Sequence, residues 1–186
     1  MTETKKGATY DDVRDAPNDR IAELFDGDLI LSPRPAIRHA KVISVLGAHL
    51  VSGFQIGHRG EEDGWWILDE PEVHLESNVF VPDVAGWRHS TLGSLPDAPA
   101  IEIAPDWVCE VLSPATADLD RMRKLPLYHR YGVSWIWLID PGNRTLEALV
   151  RRERGWEKSG FWSGGVVARA APFESIDLDL ATLWLD

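Results

Sequence analysis

DWVCEVLSPATADLDRMRKLPLYHRYGVSWIWLIDP, residues 106–141, is the stretch whose reading decides the fold. It opens with an apolar run, residues 107–112, too short for a typical helix and rich in residues that suit a buried strand. One carboxylate, Glu110, interrupts that run. Burying an unpaired charge is so costly that Glu110 must be protonated, paired or bound to a cation. Ser113-Pro114 ends the strand. After a polar loop, Leu119, Met122, Leu125, Tyr128 and Tyr131 recur at three-residue spacing as far as Gly132, where a left-handed cap is easiest. A second apolar run, residues 135–139, follows at once. Strand, helical crossover and strand form a βαβ unit with parallel strands covered on at least one face, which puts Glu110 in the middle layer of an α/β core.

Working outward, Pro126 falls inside the helical pattern, where it removes the bond to the Met122 carbonyl at a cost of about 3 kcal/mol. The helix is therefore expected to kink, or to begin late near Met122. Downstream, residues 146–151 and 156–158 read as a hairpin around Arg154-Gly155, followed by a strand near 166–170 and a short helix near 180–185 capped by Asp179. Upstream, residues 88–105 read as a loop. Residues 79–85 read as one strand on which Asp83 shares a face with Val81 and Ala85, and Pro82 implies an edge, a bulge or a strand end. Strands are expected at 65–68 and 72–75, a loop at 57–64, and a helix over 36–54 with a stripe of His39, Val42, Ile43, Leu46 and Leu50. In IAELFDGDLILS, Asp26-Gly27 marks a hairpin, because both central residues of a type I′ turn need positive φ. Glu23 then lies on a strand, either facing inward or on the polar face of an edge strand. Thr9 caps a short helix, YDDVRDA, and residues 1–8 are expected as a disordered tail.

The length of 186 residues fits a single domain over residues 9–186. Nine tryptophans supply ample apolar area for a core and also suggest a buried subunit interface, hence a homodimer. The one cysteine, Cys109, excludes an internal disulfide and reads as a small core residue. With no signal peptide and no apolar run near eighteen residues, a cytoplasmic protein without membrane association is expected. The net charge of −11 argues against a nucleic-acid partner. Residues 121–169 nevertheless hold ten Lys and Arg against four Asp and Glu, so that stretch is either a basic surface or a solvated rim.

Glu23, Asp83 and Glu110 on strands, with Lys124 on the helix after the third, make a chemical set. Hard oxygen ligands on rigid strands favour a divalent cation such as Mg²⁺ that keeps several waters, leaving room for a phosphate oxygen and an attacking water. Structural zinc does not fit, since one Cys and six dispersed His give no CxxC or HExxH spacing. There is no glycine-rich phosphate loop, and Ser113 lacks the glycines of a nucleophile elbow.

In YDDV, ELFDGDLI, His39, VPDVAGW, DWVCEVLSPAT and KLPLYHRYGVSWIWLID, the chain resembles the Uma-two family of restriction-endonuclease-like proteins, within the PD-(D/E)XK nuclease superfamily. The resemblance implies an α/β (α+β) fold, with a restriction-endonuclease-like mixed central β-sheet flanked by helices and β-hairpins toward both ends. It also implies an Mg²⁺-dependent endonuclease, with Mn²⁺ as substitute and DNA as substrate. Pro82-Asp83 is similar to the PD element, Glu110 to the acid of the next half-motif, and Glu23 to the family's early acid. Leu112 stands where the general superfamily pattern has lysine, and an apolar side chain there cannot stabilise a pentavalent phosphate. In the Uma-type pattern a lysine of the following helix takes the role, and Lys124 matches it. The resemblance thus implies Asp83, Glu110 and Glu23 as metal ligands, Lys124 activating water and His39 lining the site.

Other readings of the same residues stand beside this one. Lys124 pairs with Asp120 one turn earlier on the helix surface, for a few tenths of a kcal/mol. The chain is a catalytically inactive nuclease-fold dimer that binds nucleic acid or protein, or its paired acids hydrolyse another substrate without metal. Under the surface reading and the catalytic one alike, Lys124→Met is expected to leave the fold nearly intact.

Overall fold

The computed structural model describes residues 2–56 and 64–185. It begins with strand β1 (Glu3–Lys6), the short helix α1 (Tyr10–Arg14) and the hairpin β2 (Arg20–Phe25) to β3 (Asp28–Pro33). The disordered tail expected over residues 1–8 is corrected here: β1 pairs antiparallel with β3, Glu3 opposite Leu31. All four of its residues are exposed, so it is held by backbone hydrogen bonds and carries no hydrophobic signal that a sequence reading could use. The Thr9 N–H donates to the Asp12 carboxylate (2.9 Å) at the start of α1. Asp26 and Gly27 have φ of 50° and 82°, as the type I′ turn requires.

Helix α2 (Ile37–Phe54) buries His39, Val42, Ile43, Leu46 and Leu50 along one face, each aliphatic contributing about 2 kcal/mol by burial. The loop expected at 57–64 lies, except for Gly64, outside the described residues. Beyond it come β4 (Trp65–Asp69), β5 (Val73–Leu75), β6 (Asn78–Phe80) and β7 (Val84–Arg88). The single strand expected over 79–85 is thus two strands, and they belong to different sheets. Pro82 cannot donate to a ladder, so the chain leaves one sheet at Val81 and enters the other at Val84. Asp83 sits in the bend between them, not within a strand.

The βαβ unit is present. Strand β8 (Trp107–Val111) runs parallel to β9 (Trp135–Asp140), with Glu110 opposite Leu138. The crossover over 117–130 consists of α3 (Ala117–Leu119), a π-helical turn (Asp120–Lys124) and α4 (Leu125–Arg130). The long hairpin β10 (Thr145–Arg152) to β11 (Gly155–Ser163) follows, then the short strands β12 (Val167–Ala168) and β13 (Leu178–Asp179) and a 3₁₀ turn at Leu180–Leu183, where Asp179 accepts the Ala181 N–H.

The six-stranded sheet has the order β11-β10-β9-β8-β7-β4 and is parallel only between β8 and β9, so it is mixed. The five-stranded sheet has the order β1-β3-β2-β6-β5. Alternate residues of β8 face opposite sides. Trp107, Cys109 and Val111 pack with α2 and the C-terminal turn, and Val108 packs with Leu127 and Tyr128 of α4 and with Phe25 and Phe80 of the five-stranded sheet. Glu110 has the parity of Val108, which directs it toward α4 and the second sheet.

Candidate active site

Four elements bring buried polar side chains to one cleft of about 860 Å³, lined by Glu23, His39, Asp83, Glu110, Asp120 and Lys124 among others. All five residues singled out in the sequence are in that set. Glu23 faces inward from β2 at 3 % exposure, and its Oε1 accepts the Val81 N–H at 3.0 Å. That settles which face of the strand it occupies and anchors the crossing segment before Asp83. Asp83 Oδ2 accepts the Val111 N–H at 2.6 Å and lies 3.1 Å from His39 Nε2. Pro82 and the switch between sheets thus aim Asp83 at the end of β8, beside Glu110.

Glu110 Oε1 accepts from the Tyr128 hydroxyl at 2.6 Å and from Lys124 Nζ at 2.8 Å. Lys124 Nζ also lies 3.0 Å from Glu23 Oε1 and 3.7 Å from Asp120 Oδ1. The expected pairing of Lys124 with Asp120 exists but not on a surface: the two residues are 3 % and 4 % exposed. Pro126 explains the local geometry. In a regular helix its ring would strike the carbonyl four residues back, at Met122, and Met122 lies within the π turn, where the Leu125 N–H reaches back five residues to Asp120. The helix neither breaks nor begins at Met122, but widens there. This widening carries Lys124 inward.

Burial dominates the electrostatics. It pushes the Glu110 carboxyl well above the usual carboxylate range, against the pull of Lys124 and helped by Asp120, Asp83 and Glu23. Asp120 is raised to about 7 for the same reason, again opposed by Lys124. Burial works against the charge on Lys124, but Glu110 and Glu23 outweigh it and the pKa stays well above its ordinary value. His39 behaves alike: burial disfavours its charge, and the Asp83 carboxylate reverses the balance and raises the pKa.

Two members of the cluster escaped the sequence reading. Asp120 was assigned to a helix surface and Tyr128 to an apolar stripe, yet with Lys124 they stand at i, i+4 and i+8, a spacing that puts polar groups on one helix face. Cys109 is buried, and its thiol is pushed well up by burial and by Asp83 and Glu110, as suits an inert core residue.

Among the described residues, no group of three or more His, Cys, Asp or Glu is placed to hold a metal ion. The donor set fits a different kind of cation site. Four buried acids face one lysine and one histidine, an excess of hard oxygen donors over bases, and Asp83 and Glu110 are the pair that could hold a hard cation retaining much of its water shell.

The site is thus a cleft in an α+β fold with a mixed sheet, with four acids and a lysine at its floor. The crystal structure of a putative nuclease belonging to DUF820, from Anabaena variabilis, has the same fold, with a TM-score of 0.76 and 21% sequence identity over 95% of this chain and 97% of that one. The chain belongs to the Uma2 family, described as "Putative restriction endonuclease", which matches residues 8–181. No curated protein matches the sequence.

Proposed function

We propose that the protein is a divalent-cation-dependent endonuclease that hydrolyses DNA phosphodiester bonds. The observation that carries this reading is the meeting of Glu23, Glu110 and Lys124 within 3.0 Å at the floor of a cleft that Asp83 also lines. Asp83 and Glu110 would hold Mg²⁺, with Mn²⁺ as substitute and Glu23 assisting. When bound, the cation neutralises phosphate charge and acidifies a water. The rest falls to the chain. Lys124 Nζ donates hydrogen bonds to the attacking water or to the phosphate oxygens as charge develops on them. Tyr128 fixes the orientation of Glu110, and His39 fixes that of Asp83 from the opposite side. Two chains pairing by a two-fold axis would present two such sites to the two DNA strands. The edge of β11, unpaired among the described residues, is one surface for that pairing, and a dimer mass by light scattering is expected.

The test is cleavage of supercoiled plasmid with Mg²⁺ or Mn²⁺, with and without EDTA. Cleavage that EDTA abolishes, and that Asp83→Asn or Glu110→Gln reduces by about a hundredfold or more, is the expected result. Metal binding without cleavage of any DNA form would instead favour a nuclease-fold binding module. Cleavage insensitive to EDTA would favour metal-free acid-base hydrolysis.

A further inference from the structure

An acidic floor in a chain of net charge −11 repels a polyanion, so a nucleic-acid strand needs a cationic approach to this cleft. The basic stretch over residues 121–169 does not supply it: apart from Lys124 at the floor, none of its ten Lys and Arg lines the cleft, and most are ion-paired. Arg121 and Lys158 pair with Glu147, Arg123 with Asp28, Arg130 with Asp26, Arg152 with Glu157 and Arg169 with Asp177. Those residues are an ion-paired rim. The cleft has two arginines of its own, Arg34 and Arg38, both exposed at its edge. Arg34 makes one hydrogen bond, to the Asn18 carbonyl at 3.1 Å, and neither arginine forms an ion pair among the described residues.

The backbone beneath them is stiff. Arg34 is flanked by Pro33 and Pro35, which fix φ on both sides and hold Arg34 itself extended. Arg38 lies in the first turn of α2, a turn that contains no acid and whose N-cap, Ala36, offers no side-chain hydrogen bond. Immediately inside this edge lies Ser32, which lines the cleft at 4 % exposure and whose hydroxyl has no hydrogen-bond partner among the described residues. A buried polar group left unsatisfied costs free energy, and a bound phosphate oxygen would remove that cost.

The geometry points to a phosphate-binding lip, in which Arg34 and Arg38, with Ser32 behind them, grip the DNA backbone next to the phosphate at the acidic floor. This rests on the endonuclease reading and adds where the strand is held. Arginine suits the task because its planar fork receives phosphate oxygens in pairs. The lip contacts backbone only, so it positions the strand without reading sequence.

Plasmid cleavage is measured over a range of NaCl for the wild type, Arg34→Gln/Arg38→Gln and Arg34→Lys/Arg38→Lys, each shown folded by thermal melting. The glutamine pair is expected to raise KM about tenfold or more and to make the log–log dependence on salt shallower by about 1 to 2, the share of two phosphate contacts. The loss should fall on KM more than on kcat, and the lysine pair should recover most of it by restoring charge. A wild type that cleaves while the glutamine pair keeps the same KM and salt slope overturns the lip and leaves the endonuclease reading standing. Equal losses in the lysine and glutamine pairs overturn the charge-based account. A wild type that neither binds nor cleaves DNA overturns both.

Discussion

Lys124 shares its ammonium among Glu23, Glu110 and Asp120 at 3 % exposure, so deleting it strands buried carboxylates without a counter-charge. Lys124→Met therefore should not be neutral to the fold, contrary to the sequence-based expectation, and should cost about 3–5 kcal/mol in denaturant unfolding. Adding Glu110→Gln should return part of that loss, because it removes one of the stranded charges while an amide oxygen can still accept from Tyr128. A double variant no more stable than Lys124→Met alone would contradict this charge balance. Glu23 and Glu110 were legible as candidates because carboxylates in apolar strands are conspicuous, and Asp83 and Lys124 because the motifs around them resemble a family. The depth of Lys124 and Asp120 was not legible, since an acid and a base four residues apart on a helix read equally well as a surface pair.

The element that decides where Lys124 points is the π turn. Pro126→Ala removes the steric reason for the widening and lets residues 117–130 relax toward a regular helix, rotating Lys124 away from Glu110. Cleavage is expected to fall at least about tenfold, and the gain in helix propensity from alanine should be offset by withdrawing the Lys124 charge from the buried carboxylates. Unchanged cleavage would show that the turn does not position the lysine. The break at Pro82 was half legible: the proline announced an interruption, but only long-range pairing reveals that the flanking strands join different sheets. The helical crossover also meets the hairpin at Glu147, whose carboxyl is held below its ordinary value; burial opposes this, and Lys158 and Arg121 overcome it. A folded pKa below the unfolded one stabilises above the unfolded value and is lost as pH falls through the folded value. Glu147→Gln should thus cost no more than about 1 kcal/mol at pH 7, its partners being half exposed. The difference from wild type should shrink as pH falls below the ordinary glutamate range and vanish only below the lowered folded value of Glu147, in pH-dependent melts.

Across the whole molecule, apolar material and charge are both largely spent internally. None of the nine tryptophans is exposed, and Trp87, Trp107 and Trp137 are almost fully buried, so the tryptophan count argues for the internal core and no longer for a subunit interface. The edge of β11, unpaired among the described residues and with Phe161 54 % exposed, is what remains in favour of a dimer. No helix among the described residues is long and apolar enough to cross a membrane. The parallel centre and the two hairpins followed from local patterns and the mixed sheet from the family resemblance, whereas the second sheet did not, because it is assembled from short strands and an exposed β1 that only tertiary pairing defines. The excess of buried carboxylate over base at the cleft floor is the central physical claim, and Mn²⁺ titration by calorimetry tests it most directly. The wild type should bind, and Asp83→Asn and Glu110→Gln should each weaken binding about tenfold or more, at least ~1.4 kcal/mol. Mn²⁺ bound as tightly by both variants as by the wild type, or not bound by the wild type, would contradict the account.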